Sequence, residues 1–132
     1  MNEYVVKLDC RIDDAKGVTV MEIMGLIGKL QDQNVWVRVS AAEALVQIGT
    51  PEAIKAAVPA LIETLRDQEW WVRGNSAVAL GNIGSDAKDA VPALMQALQG
   101  QDEEVRGSVA ETLKQIGTPE ALKAVEKYRS RQ

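Results

Sequence analysis

Histidine is missing from this chain of 132 residues, and with it the commonest general base near neutral pH. The same absence removes the usual activator of a catalytic serine or cysteine and the nitrogen ligand of most zinc sites. No glycine-rich segment carries the Lys-Ser or Lys-Thr pair of a phosphate-binding loop. We therefore expect a protein that is not an enzyme, holds no metal and needs no cofactor.

Phenylalanine is also absent, and the aromatic side chains are limited to three Trp and two Tyr. The core must then be built from Leu, Ile, Val and Ala, which favours close-packed helices over a β-sandwich. Cys10 is the single cysteine, so the chain forms no disulfide bond within itself. This cysteine usage suits a reducing compartment.

Basic residues are outnumbered by acidic ones, 15 to 19, and long apolar runs are scarce. A net charge of −4 and a pI of about 4.9 oppose attraction to phosphate, so we expect neither a nucleic-acid partner nor a membrane partner. The longest apolar stretch, residues 18–30, is too short and too polar to span a bilayer. The N-terminus lacks the pattern of a signal peptide. Together these features predict a cytoplasmic protein.

The chain does contain an internal repeat. Leu30–Arg38 returns as Leu65–Arg73, 35 residues later, and as Leu98–Arg106 after 33 more. In each copy an Ile-Gly pair follows, with its Gly eleven positions after the Arg. Apolar residues at steps of four, four and three mark one helix face, and the Gly fits a helix C-terminus. The pattern predicts three helical hairpins, at about 20–49, 55–84 and 88–117.

Thr-Pro-Glu occurs at 50–52 and 118–120, and matches an N-cap, a first-turn Pro and an early acid. We expect Pro59 and Pro92 near the beginning of the first helix of their hairpins, where a missing N–H costs least. The two-residue difference between the periods should fall in the loops before these prolines. A helix over 119–130 is predicted to cap the C-terminal end.

The pattern Val-Arg-x-x-Ala-Ala-x-Ala-Leu-x-x-Ile-Gly resembles the HEAT-like repeats first grouped with the phycobilisome lyases, over about residues 20–126. The resemblance implies an all-α fold, a short right-handed α-solenoid of three HEAT-like hairpins within residues 18–132. It leaves the function open, because such repeats occur in lyase subunits, regulatory scaffolds and adaptors. It also implies a structural ladder of Asp and Arg between neighbouring repeats. That ladder would comprise Asp32, Arg38, Asp67, Arg73 and Arg106. Gly100 replaces the third Asp, so the third rung is missing unless Asp102 substitutes for it.

Residues 1–17 form a leader outside the repeat. Apolar and polar residues alternate from Glu3 to Ile12, which indicates an extended strand, although such a strand has no sheet to join. A cap on the first helix and a disordered tail remain alternatives. The first helix, over 20–30, has few polar positions and needs cover on two sides. This need predicts that the leader caps it or that a homodimer forms through residues 1–30.

Trp36 and Trp71 occupy equivalent positions in consecutive repeats, one residue before a core Val, and should lie near one another off the core. Exposed Trp provides a large apolar area with few rotamers to freeze, which is how protein interfaces use it. The alternative is that the pair only covers a repeat junction. Trp70 is expected to serve packing. The resemblance implies that second helices line the concave face of the solenoid. The predicted partner-binding residues on that face are Trp36, Trp71, Ser40, Asn75, Glu43, Gln47, Asn82 and Glu104.

The leading hypothesis is a non-catalytic protein–protein interaction scaffold or adaptor. Its partner, another protein, would present an apolar side chain to the tryptophans and basic residues to the acidic end at 102–104. The family resemblance makes a bilin lyase or lyase helper the alternative. A nucleic-acid-binding helical repeat, with Trp stacked on bases, is the second alternative.

Overall fold

The computed structural model describes residues 12–13 and 18–132 of the chain. Ile12–Asp13 (β1) pairs antiparallel with Val18–Thr19 (β2), and Ile12 lies opposite Thr19. The predicted leader strand therefore does have a partner at its C-terminal end, contrary to the expectation of a strand with no sheet to join. The remainder of the predicted strand, up to residue 11 and including Cys10, lies outside the described residues.

Helices account for almost all of the described chain after β2. A 3-10 helix, Gly84–Ala90, connects the fourth and fifth α-helices. The α-helices are α1 Val20–Lys29, α2 Val35–Ile48, α3 Pro51–Thr64, α4 Trp70–Ile83, α5 Val91–Ala97, α6 Glu103–Ile116 and α7 Pro119–Ser130.

The helices form two layers. The first helices of the hairpins, α1, α3 and α5, lie with α7 in one layer, and the second helices α2, α4 and α6 lie in the other. Each second helix packs against its own first helix, and α4 also packs against the other two second helices, α2 and α6. This arrangement is the α-solenoid of three hairpins and a C-terminal helix that the repeat predicts.

The predicted helix boundaries hold where the sequence carries a cap. Gly49 and Gly117 both have a φ of 73°, in the left-handed region, and each donates its N–H to a carbonyl four residues earlier. The hydroxyls of Thr50 and Thr118 accept the backbone N–H three residues later, at 3.3 and 3.2 Å. These four residues end α2 and α6 and begin α3 and α7.

The predicted position of Pro59 within its helix is wrong. Helix α3 begins at Pro51, as the Thr50 cap predicts and ahead of the approximate repeat bound at 55, so Pro59 lies in the helix interior rather than near its beginning. Pro59 removes the helical hydrogen bond to the carbonyl of Lys55. Both residues are exposed, so water can solvate that carbonyl. Pro92 does lie at the beginning of its helix, α5.

The two-residue difference between the repeats is not taken up by a loop in the third hairpin. The 3-10 helix runs directly from α4 into α5, with a kink at Ala87. A 3-10 helix rises about 2.0 Å per residue, against about 1.5 Å for an α-helix. The connection therefore covers more distance per residue, and fewer residues suffice.

The core between the layers is aliphatic, with Leu45, Leu80 and Leu113 fully buried at equivalent positions of the second helices. A buried polar contact crosses from α3 to α4, where the hydroxyls of Thr64 and Ser76 lie 2.6 Å apart. Every buried side-chain polar atom of the described residues has a hydrogen-bond partner. The hydroxyls of Thr64 and Ser76 are therefore both hydrogen-bonded in the core.

Helices α4 and α6 approach each other closely at Gly81. A Cβ atom at this position would lie 3.2 Å from the Thr112 hydroxyl and would collide with the side chain of Gln115. The Thr112 hydroxyl also donates across the interface to the carbonyl of Ala77, at 2.7 Å. Glycine at position 81 thus allows the two helices to close on one another.

Three glycines within helices test this contact. A Cβ at Gly74 or Gly107 would meet no atom within 4 Å, so Gly74→Ala and Gly107→Ala should each raise the free energy of unfolding by about 0.5–1 kcal/mol. Gly81→Leu should instead lower it by about 1–3 kcal/mol, because the larger side chain separates α4 from α6. Urea denaturation followed by circular dichroism measures all three. A Gly81→Leu protein as stable as the wild type would contradict the close contact.

Candidate functional site

The predicted partner-binding residues lie together on the exposed side of α2, α4 and α6, which we call the second-helix face. Along α2, the residues after Trp36 at helical spacing are exposed, and the same holds for the residues after Trp71 along α4. Trp71 itself is partly buried, whereas Glu104 at the start of α6 is exposed. The exposed residues of α2 and α4 in this set are Ser40, Glu43, Gln47, Asn75 and Asn82.

Trp36 and Trp71 stack on one another. Their ring centroids lie 4.1 Å apart and their planes are inclined by 20°. The pair covers the junction between the first two repeats, and yet 58% of the Trp36 surface stays exposed. Asn34 fixes the start of α2 beside the stack, because its side-chain oxygen accepts the backbone N–H of Trp36 at 2.8 Å. The result is an aromatic surface held by two helices.

A hollow of about 260 Å³ lies between α2 and α4, and we call it the α2–α4 hollow. Its polar side chains are one carboxylate and three carboxamides, and none of these makes a hydrogen bond or ion pair within the described residues. Its apolar side chains are two valines and an alanine, of which Val78 is 49% exposed. The lining residues are Glu43, Val46, Gln47, Asn75, Val78, Ala79 and Asn82.

A second hollow, of about 310 Å³, lies between α1 and α2. Trp36 lines it together with Leu26, Lys29 and Ser40. Sequence reasoning missed Leu26 and Lys29 because they belong to a first helix, and the search was confined to second helices. The signal available was the number of apolar residues in α1, which exceeds what the core of a hairpin needs.

Glu104 stands where the first two repeats have Trp. It lies in the first turn of α6, and Asp102 caps this helix by accepting the Val105 N–H at 3.0 Å. Carboxylates are favoured at a helix N-terminus because of the helix dipole and the unpaired N–H groups. The acidic end of the second-helix face therefore also stabilises the helix that carries it.

The repeated arginines bind main-chain carbonyls within their own repeat. Each guanidinium donates to the carbonyl six residues earlier, at 2.7 Å for Arg38, 2.8 Å for Arg73 and 2.7 Å for Arg106. Arg38 and Arg73 also reach the next carbonyl, at 3.0 and 2.9 Å. For the described residues, the predicted ladder between neighbouring repeats is therefore wrong, since these bonds close the turn inside each hairpin.

The aspartates have a separate role in the same turn. Asp32 and Asp67 accept the backbone N–H two residues later, at 2.8 and 3.0 Å. Gly100 lacks this carboxylate but keeps the carbonyl to which Arg106 donates. Replacement of the third Asp by Gly therefore leaves the arginine contact in place, and no substitute carboxylate is required.

Among the residues that the structure describes, no group of His, Cys, Asp and Glu is arranged to hold a metal ion. Over the same residues, none of the helices combines the length and the apolar character needed to cross a bilayer. The side chains that gather on the second-helix face are instead aromatic, carboxylate and carboxamide groups. These groups can make apolar contacts and hydrogen bonds with a bound molecule.

Hairpins stacked in two layers, with equivalent residues brought side by side, define this chain as a helical-repeat protein. It belongs to the HEAT repeat family, whose model, described as HEAT repeats, matches residues 58–131 and so more than half of the chain. A second model, described as PBS lyase HEAT-like repeat, matches residues 37–67. No curated protein matches the chain.

Two crystal structures of engineered proteins from the Northeast Structural Genomics Consortium are similar to this fold. One has 30% sequence identity and a TM-score of 0.60, and the match covers 81% of this chain and 30% of that chain. The other has 28% identity and a TM-score of 0.59, and the match covers 98% of this chain and 69% of that chain. The chain thus spans less than a third of the first protein's length.

Two substitutions distinguish the hydrogen bonds from Arg73 to main-chain carbonyls from an Asp–Arg ion pair. Arg73→Met should lower the free energy of unfolding by about 1.5–3 kcal/mol, because two carbonyls lose a charged donor. Asp67→Asn should change it by less than about 0.5 kcal/mol, since the amide oxygen can still accept the Glu69 N–H. Urea denaturation measures both. Equal losses would mean that the carboxylate charge, and not the carbonyls, holds the arginine.

Proposed function

We propose that this chain is a non-catalytic protein-binding scaffold whose partner docks on the second-helix face. The observation that carries the proposal is the stack of Trp36 and Trp71, an aromatic pair set on adjacent helices and left open to solvent on one side. Tryptophan is among the residues most enriched at the energetic centres of protein interfaces. An aromatic pair of this kind suits an apolar side chain of a partner.

The stack holds the two indole rings of Trp36 and Trp71 in a fixed arrangement before any partner binds. Stacking already restricts the rotamers of both indoles, and the two helices are held by the core beneath them. A partner that covers the pair therefore freezes little additional side-chain motion, which lowers the entropic cost of association. This preorganisation favours a recognition site over an incidental exposed side chain.

The surroundings of the pair suit the polar rim of an interface. Glu43, Gln47, Asn75 and Asn82 are exposed and make no hydrogen bond within the described residues. Their donors and acceptors are available to a partner, and such groups around an apolar centre are typical of protein interfaces. Carboxylates at Glu43 and Glu104 also disfavour a phosphate backbone on this face.

Removal of the tryptophan pair tests the proposal. A displayed library of random linear peptides is selected on the wild-type protein, and the affinity of the enriched peptides is then measured for variants. Trp36→Ala/Trp71→Ala should weaken binding about thirtyfold or more, which corresponds to about 2 kcal/mol. Trp70→Ala is the matched control, because Trp70 is 51% exposed but lies outside the stack, and it should bind as the wild type does.

The other outcomes of this test are also informative. Undiminished binding by the double variant, or an equal loss with Trp70→Ala, would refute a binding site at the stack. A new absorption band on addition of a bilin would favour the lyase or lyase-helper function. Salt-dependent retention of labelled DNA would favour the nucleic-acid function.

We also propose that the outer side of α1 is covered by a second copy of the chain. Met21, Met24 and Ile27 lie along one side of this helix and are 51, 59 and 37% exposed. An apolar strip on the end helix of a solenoid is a surface that a like strip can bury. A homodimer through this end would leave the second-helix face of the second and third repeats open.

Light-scattering mass in solution tests the dimer. The wild type should have the mass of two chains, and Met24→Lys should have the mass of one, because a charge on the strip opposes its burial. Met95→Lys is the control, since Met95 on α5 is 42% exposed and away from this end, and it should stay dimeric. A wild-type monomer, or equal dissociation of both variants, would refute the proposal.

A further inference from the structure

We infer that the α2–α4 hollow receives a lysine or arginine side chain from an extended segment of the partner protein. The inference rests on the proposed function, because it specifies which chemistry the second-helix face recognises. It is carried by the charge, the shape and the unpaired polar groups of this hollow. The tryptophan stack stands at one end of the same helices.

The charge of the hollow has one sign. Glu43 is its single ionisable residue, and this carboxylate has no ion pair within the described residues. The carboxylates of Glu104 and Glu111 on α6 add to the same potential, while Lys114 is the exposed cation of that helix. Arg38 and Arg73 engage main-chain carbonyls instead of the carboxylate. A cation supplied by the partner would complement Glu43.

The shape of the hollow fits one long, flexible side chain. Val46 and Val78 provide apolar walls against which the methylene stem of lysine or arginine can pack, while the charged end reaches Glu43. A volume of about 260 Å³ admits such a side chain. It is too small for a whole helix, whose diameter is about 10–12 Å.

The carboxamides favour an extended segment over a helical one. Gln47, Asn75 and Asn82 each offer an unpaired amide that can donate and accept hydrogen bonds. The backbone of an extended segment has free N–H and carbonyl groups to match them, whereas a helix uses these groups internally. From Trp36 to Gln47 the face measures about 16 Å, the length of about five extended residues.

The third repeat supplies a matched control. Glu111 occupies the position in α6 that Glu43 occupies in α2, and both side chains are exposed. The hollow, however, lies between α2 and α4, and α4 meets α6 closely at Gly81 and Thr112. Glu43 and Glu111 therefore share charge and helix position, but only Glu43 lines the hollow. A comparison of Glu43→Gln with Glu111→Gln therefore shows whether a basic peptide binds in the hollow or responds only to the negative charge of the whole face.

An NMR titration of the full chain tests the inference. The probes are an acetylated peptide of alternating serine and lysine, its arginine counterpart, and matched peptides with glutamine or glutamate. The basic peptides should shift the side-chain amide signals of Gln47, Asn75 and Asn82, and the glutamine and glutamate peptides should not. Glu43→Gln should weaken binding of the basic peptides about two- to fivefold, and Glu111→Gln should leave it unchanged.

Three results would overturn the inference. The glutamine peptide could bind as tightly as the lysine peptide, Glu111→Gln could weaken binding as much as Glu43→Gln, or the basic peptides could leave the three amides unshifted. If any of these occurred while library-selected peptides still required Trp36 and Trp71, the proposed function would stand and this inference alone would fail. Loss of the tryptophan dependence would instead mark failure of the proposed function.

Discussion

In this chain the second helices of neighbouring repeats pack against one another, and the register of that packing decides which side chains become neighbours. Because the repeats align residue by residue, Trp36 meets Trp71 and Leu45 lies in line with Leu80. The same register that builds a continuous aliphatic core therefore sets equivalent residues side by side on the opposite, solvated surface. A stacked tryptophan pair is a direct result of having Trp at equivalent positions in two successive repeats.

The two interfaces between second helices are not alike, and this difference shapes the candidate site. Gly81 lets α4 and α6 close, with the Thr112 hydroxyl bonded to the Ala77 carbonyl. Between α2 and α4 the equivalent position is Val46, and a hollow remains that polar side chains line. The residues at equivalent positions thus leave one interface closely packed and the other with an open hollow.

Much of this architecture is predictable from local rules. The ends of α2 and α6 and the beginnings of α3 and α7 follow from Gly49, Gly117, Thr50 and Thr118, since caps act within a few residues. The tryptophan neighbours followed from the period alone. The prediction for Pro59 is wrong because a proline is tolerated inside a helix when the carbonyl that loses its hydrogen bond is exposed to water. The α2–α4 hollow and the arginine–carbonyl bonds were not foreseen, because they depend on how closely helices approach and on where long side chains fold back.

The central claim is that a partner protein covers the stack on the second-helix face. Hydroxyl-radical footprinting of the tryptophans tests it most directly, on the protein alone and with peptides enriched by selection. Because all three tryptophans share one chain, Trp70 is an internal reference with half of its surface exposed. The account predicts that bound peptide protects Trp36 and Trp71 and leaves the oxidation of Trp70 unchanged. Protection of Trp70 or of Met21 and Met24, with Trp36 still reactive, would contradict it.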